Sequence, residues 1–359
     1  MLIKNIFKKS TLASLMLVSI MSLAVMGCDN TPDIKVSDAE LFSADWWKTA
    51  TVSDVKSLVK QKIDLRKKLN DSVSILDIAF SHITDPKIVK VLVQSGVDLN
   101  EKNYKGGSFL LSAIVNNQSP EIIQSMLDSG ADINAKTDDG AGALAFALMK
   151  PNPNLDTVKL LIKNRADVNA KDYSFGATPL MVAASNNTNG KAISILLKNG
   201  ADINATNNKG ANAAMMAAIQ NPNVEVIQIL IDNGADIKVI AKEVGMNALS
   251  FGAMNKNPMV FKTIQQSYFN NLTEKEKTTV CIGYMGGIMG RNNQNVEDRF
   301  INMSLLSFHR KYGKEDINTD LLLSARPIGL NTNISQNVID MMNNQCNPLL
   351  RDLNQYSSF

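Results

Sequence analysis

Between residues 66 and 238 the apolar positions fall into two alternating kinds. Segments rich in small residues, at 75–80, 109–115, 143–148, 179–185 and 213–219, are each followed by a more aliphatic one. The aliphatic segments lie at 88–93, 122–127, 158–162, 193–197 and 224–231. Both kinds predict short helices. After each pair comes one polar phrase: Ser95-Gly-Val-Asp-Leu-Asn100, Ser129-Gly-Ala-Asp-Ile-Asn134, Asn164-Arg-Ala-Asp-Val-Asn169, Asn199-Gly-Ala-Asp-Ile-Asn204 and Asn233-Gly-Ala-Asp-Ile-Lys238. The aspartates Asp98, Asp132, Asp167, Asp202 and Asp236 step by 34, 35, 35 and 34 residues. A fixed period of this length predicts a stacked-repeat solenoid, because each unit buries its apolar face only against its neighbours. In the phrase, Gly200 supplies a helix C-terminal turn and the residues after it start an extended finger. Ala113, Ala147, Ala183 and Ala217 recur where adjacent first helices must approach closely.

The phrase, with Gly176-Ala-Thr178-Pro179-Leu180-Met181-Val-Ala183-Ala184 opening one helix, resembles the ankyrin repeat family. Residues 172–204 are the copy most like the family, and Met181 stands where its Thr-Pro-Leu-His signature has histidine. The resemblance covers about 45–268. It implies an all-α fold, an ankyrin-repeat solenoid of helix-turn-helix units with finger loops at a period of 34–35. It also implies binding of a protein through the fingertips and the exposed side of the first helices.

The flanks follow from the same pattern. Ser37 and Glu40 have capping-box spacing and predict a helix from Asp38 that ends at Trp46 and Trp47. A second helix follows over 51–59, and Asp64 precedes Asp98 by one period. This is a degenerate first repeat, with the tryptophans covering an otherwise bare apolar end. The period is lost from Asn271, so the repeat domain is placed at 38–270 and a C-terminal helical module at 271–359. Helices are predicted there from Thr273-Glu-Lys-Glu276 over 275–287, over 296–312 and over 334–344. The run Cys281-Ile-Gly-Tyr-Met-Gly-Gly287, with Cys346, is similar to a small periplasmic helical family that includes type VI secretion immunity proteins.

Residues 1–27 read as a signal peptide: Lys4, Lys8 and Lys9 precede an apolar run over 12–26 that ends Leu23-Ala-Val-Met-Gly-Cys28. This resembles a bacterial lipobox, which implies lipidation of Cys28 and a tether over 28–37. An ordinary secretory signal and an uncleaved anchor are the alternatives. Asp29 and Asn30 resemble an inner-membrane retention signal, with the outer membrane as the other possibility. Without those three lysines, 34 basic residues face 34 acidic ones, so no clustered basic excess points to nucleic acid. Cys281 and Cys346 are an even pair in an exported chain, which makes them a disulfide candidate.

Catalytic chemistry is sparse. His82 and His309 are the two histidines, and neither has a Cys or His partner at metal-ligand spacing. Gly283-Tyr-Met-Gly-Gly-Ile-Met-Gly290 lacks the Lys-Ser/Thr of a phosphate loop. Asp138-Asp139-Gly140 falls on a finger turn, where these residues are ordinary turn formers. No enzyme, metal or cofactor is expected. The candidate site is a partner-binding surface at Tyr104, Lys105, Asp138, Asp139, Tyr173, Phe175, Asn208 and Lys209. Its mixed signs suit local complementarity over a single strong field. Phe175 has two readings, an exposed anchor or a support for its own longer finger. The expected molecule is a monomer when free, anchored by lipid and facing the periplasm. Its partner is another protein, for which a phospholipase effector is the leading expectation and a resident envelope protein the alternative.

Overall fold

The computed structural model describes residues 35–69, 73–103, 106–186, 190–290 and 336–354. The signal segment with Cys28, the fingertip residues Tyr104 and Lys105, the expected helix over 296–312 and His309 lie outside them. Six helix pairs stack side by side. The N-terminal pair is α2 (Ala44–Thr49) with α3 (Val52–Lys60), preceded by the short α1 (Asp38–Leu41). A two-stranded ladder, β1 (Lys68–Leu69) with β2 (Val73–Ser74), leads into the next pair, α4 (Ile75–His82) and α5 (Pro86–Gln94). Then come α6 (Phe109–Val115) with α7 (Pro120–Asp128), α8 (Ala143–Leu148) with α9 (Leu155–Lys163), α10 (Pro179–Asn186) with α11 (Lys191–Lys198), and α12 (Ala213–Gln220) with α13 (Val224–Asp232). A weaker unit, α14 (Ala248–Gly252) with α15 (Pro258–Asn270), closes the row.

Along the first helices small residues recur at Ala79, Ala113, Ala147, Ala183, Ala217 and Gly252, five residues after each helix's preceding cap position. A side chain on Gly252 would come within 2.8 Å of the Ile264 side chain, so this position must stay small. Second helices bury Ile88, Leu92, Ile122, Met126, Val158, Leu161, Ile193, Leu196, Val226 and Leu230 with essentially no exposure. Each such side chain contributes roughly 1.5–3 kcal/mol through burial. Four second helices begin at the Asx caps Asp85, Asn154, Asn223 and Asn257, whose side chains accept first-turn backbone N–H groups.

The recurring phrase is an inter-repeat clamp. Each aspartate accepts the backbone N–H two residues on, as in Asp202 to Asn204 at 3.0 Å. The closing asparagine then reaches the next repeat: Asn169 Nδ2 donates to the Gly200 carbonyl at 3.0 Å, and its Oδ1 accepts from Asp202 N at 2.8 Å. Asn100 and Asn204 make the same pair of bonds. At the degenerate N-terminal copy Arg66 takes this place, donating to the Gly96 carbonyl and pairing with Glu101. Lys238 takes it at the other end and donates to the Asn271 carbonyl at 3.3 Å.

Two expectations need correction. The helix begun by the Ser37–Glu40 capping box ends after four residues, because Ser43 caps a new helix that carries both tryptophans. Trp47 is fully buried, its indole N–H donating to the Leu41 carbonyl at 2.8 Å, and Trp46 packs edge-on against it. The last predicted helix runs further than 334–344: α17 spans Gln336–Asn354 and passes through Pro348. It packs beside α16 (Glu274–Gly290), whose start is the expected capping box of Thr273 and Glu276. Cys281 of α16 and Cys346 of α17 form a disulfide with Cα atoms 5.2 Å apart. Closing a loop of 65 residues contributes about 4 kcal/mol in the chain-entropy account.

Candidate functional site

The fingers sit above the first helices. Four of them close by backbone bonds across their necks: Asn103 N to Gly107 O, Thr137 N to Ala141 O, Asp172 N to Ala177 O, and Asn207 N to Ala211 O. The third is one residue longer, and its turn is held by one carboxylate. Asp172 accepts from the backbone N–H groups of Phe175 (2.6 Å), Gly176 and Ala177. This fixes the backbone beneath Phe175 while its ring stays 62% exposed. The ring does not fold back against its own finger.

Tyr173 is 67% exposed and belongs to the same cluster. Its N–H donates to the Asp139 carbonyl at 2.7 Å. Its ring lies over Gly140, whose φ of +81° and lack of a side chain leave room; a Cβ there would stand 2.5 Å from the ring. Lys136 Nζ sits 5.1 Å from the ring centroid on a cation–π contact. On the other side Asn208 N–H donates to the Phe175 carbonyl at 2.9 Å. The structure therefore ties Asp139, Tyr173, Phe175 and Asn208 into one edge across three fingers.

The finger charges are largely paired with one another. Lys102 pairs with Asp138, and Lys209 with Glu243 at 3.9 Å. Lys136 and Lys171 donate to the carbonyls of Lys171 and Thr206, each on the next finger. Arg66 is held above its ordinary pKa chiefly by its hydrogen bond to Glu101. These contacts order the edge and leave little net field for a partner to follow.

Below the fingers lies the exposed side of the first helices, a surface the resemblance implied but whose residues sequence reasoning did not name. Four residues after each first-helix cap position stand Ile78, Ser112, Phe146, Val182, Met216 and Phe251, all half-buried. Three residues further on are Ser81, Val115, Met149, Ser185, Ile219 and Met254, of which Val115, Met149 and Ile219 are exposed. Neither row holds a charge. The signal was available: aligning the repeats on their cap positions, with the fingers at 172–177 and 241–246 each allowed one extra residue, lines up both rows. At the N-terminal end the lane deepens into a hollow of about 280 Å³ between α4, α6 and α8, bordered by Asn103 and Thr137 of the fingers.

Among the described residues no cluster of His, Cys, Asp and Glu is placed to hold a metal ion, and no helix is long and apolar enough to cross a membrane. His82 lies in the hollow, where Nδ1–H donates to the Ile78 carbonyl at 2.9 Å.

A family model described as ankyrin repeats (3 copies) matches residues 110–207 and 180–274. Among solved structures, the chain is similar to the crystal structure of the ankyrin repeat domain of Bcl-3, described as a unique member of the IkappaB protein family. The identity is 24% and the TM-score 0.51, over 64% of this chain and 100% of that one. At this identity the likeness concerns the fold. No curated protein matches.

Proposed function

Because the chain carries ankyrin repeats and folds as an ankyrin solenoid, a fold that typically serves as a protein-binding module, we propose that it is a non-enzymatic, lipid-anchored protein of the bacterial envelope. In this reading it faces the periplasm and neutralises a phospholipase effector of type VI secretion by covering it. The observation that carries the binding role is the exposed pair Tyr173 and Phe175, fixed on a finger one residue longer than its two neighbours beside a charge-free lane. Rigid exposed aromatics are the side chains that most often dominate an interface. The signal-like segment ending at Cys28 supports the anchor, and the Cys281–Cys346 disulfide supports an oxidising compartment. An effector that attacks phospholipid is best met at the membrane surface. A tether over 28–37 reaches roughly 30 Å when extended, enough to hold the lane there.

The test is capture of partners by residues 29–359 in the bacterium that makes the protein, followed by lipase assays. A single stoichiometric phospholipase, inactive in the complex, is the expected result. In that complex the double change Tyr173→Ala with Phe175→Ala lowers affinity by about thirtyfold or more. An unchanged lipase rate at saturating protein sinks the immunity reading. Capture of a resident envelope protein instead moves the chain to the second reading, an envelope scaffold.

A further inference from the structure

Chain-wide the charges balance, but they are not spread evenly. Residues 35–69, the N-terminal end of the stack, carry eight basic side chains and five acidic ones. Each of the five acids already holds a partner. Asp38 pairs with Lys67, and Asp45 with Lys48. Glu40 accepts from Ser37 N–H and Asp54 from Thr51 N–H, both at 2.8 Å, closing the caps of α1 and α3. Asp64 accepts from Arg66 N–H at 2.9 Å. Lys35, Lys56, Lys60 and Lys62 are exposed and form no ion pair among the described residues.

Local geometry gathers these lysines where the chain enters the fold. Lys56 and Lys60 lie one turn apart on the exposed side of α3. Ile63 N–H donates to the Leu58 carbonyl and Lys67 N–H to the Asp64 carbonyl, two turns that fold this stretch back on itself. Lys62 sits in the first turn at φ +56°, where Gly96, Gly130, Gly200 and Gly234 stand in later copies. Glycine takes that backbone with less strain, yet the position carries a charge. The Lys67 pair ties the stretch to Asp38, three residues after Lys35. Side chains alternate along an extended chain, so Leu69 shares the side of Lys67, while Lys68 borders a hollow with Arg66 and Glu101. Leu69 is 50% exposed.

We propose that this end of the solenoid is a docking surface for an anionic phospholipid bilayer, with Lys35, Lys56, Lys60 and Lys62 on lipid phosphates and Leu69 entering the interface beside them. The proposal rests on the membrane-anchored reading above. The place of the surface selects a bilayer over other polyanions. It lies where the tether over 28–37 joins the fold, so a lipid on Cys28 holds these lysines within about 30 Å of the headgroups. Tethering raises the effective concentration of the surface, and a few lysines then suffice. Lysine, a compact cation on a flexible stem, suits headgroups that offer no fixed geometry. Contact here stands the first repeat on the membrane, and the charge-free lane starts there and runs away from it.

The test takes the chain as isolated from its own bacterium and reconstitutes it in vesicles of phosphatidylcholine, alone or mixed with phosphatidylglycerol. A membrane-impermeant acylating reagent labels lysines, and mass spectrometry reads the rate at each one. In the mixed vesicles Lys35, Lys56, Lys60 and Lys62 react about fivefold more slowly, while Lys163 and Lys198 on the outer helices α9 and α11 are unchanged. Salt at about 1 M removes the difference. Lys56→Glu with Lys60→Glu, two exposed positions outside the ion pairs, abolishes the slowing at Lys35 and Lys62. Equal rates in both vesicles, equal slowing at Lys163 and Lys198, or protection that survives the double change overturns the proposal. The two readings fail separately. Lipid on Cys28 with equal rates leaves the anchor standing and overturns the docking surface. A chain isolated without lipid that sediments with the mixed vesicles alone, and no longer does so after the double change, keeps the surface and overturns the anchor. A chain without lipid that sediments with neither overturns both.

Discussion

The inner and outer faces of the same helix pairs divide the work of the molecule. Outer helices are held by large aliphatic side chains and show solvent a charged surface, with Lys87, Lys90, Glu121, Asp128, Asp156, Lys159, Lys191, Glu225 and Asp232 exposed. Inner helices bury alanines beside large side chains such as Leu76, Leu110, Leu144 and Leu180, and show solvent Val115, Met149 and Ile219 in rows without a charge. The inner layer keeps these three side chains partly in water, on the face that the protein-binding proposal uses.

The largest expected effect tests this division directly. Leu196→Ala in α11 destabilises the chain by about 2–5 kcal/mol, whereas Val182→Ala on the inner lane costs under about 1 kcal/mol. Denaturant unfolding measures both, and equal losses would break the comparison. Next come the clamps that hold the layers in register. Asn169→Ala removes two inter-repeat bonds, and the expected loss is about 1–2 kcal/mol by the same measurement. An unchanged midpoint would mean that side-chain packing alone sets the register.

A gain of similar size is expected at Arg165. It stands at the phrase position that is glycine in the four other copies, and its φ is +66°. Arg165→Gly relieves a left-handed backbone that only glycine adopts freely and stabilises by about 1 kcal/mol. A lower melting temperature for this variant would show that the arginine side chain matters more than its backbone.

The smallest effect lies outside the repeats, at the cap of α16. Hydrogen bonding to the backbone N–H of Thr273, opposed by some burial, holds Glu276 below the usual carboxylate pKa. The folded state therefore binds this proton less readily than the unfolded one. Its stabilising contribution is complete above the ordinary carboxylate range and disappears as pH falls through it. Glu276→Gln lowers the melting temperature slightly at pH 7 and makes no difference near pH 3. A constant gap between the two proteins across that range would rule the linkage out.

The period, the helix pairs and the finger phrase were legible because they are local. Asp98, Asp132, Asp167, Asp202 and Asp236 recur for a reason that acts within one turn, an Asx bond to the residue two ahead. The α1–α2 break was missed because Ser37 and Ser43 are both good caps, and a capping signal does not say how far its helix runs. The inner rows were missed because Ile78, Val182 and Met216 look like ordinary core residues until their repeats are superposed.

By itself the sequence determined the repeat unit, since helix spacing, turn glycines and Asx bonds act over a few residues. It also marked Tyr173 and Phe175 as residues of a finger rather than of the core. Tertiary structure decided which apolar residues remain in water, which fingertip charges cancel, and that Cys281 meets Cys346 across 65 residues. Those outcomes depend on distances between chain segments far apart in sequence, and stacking the repeats is what sets those distances.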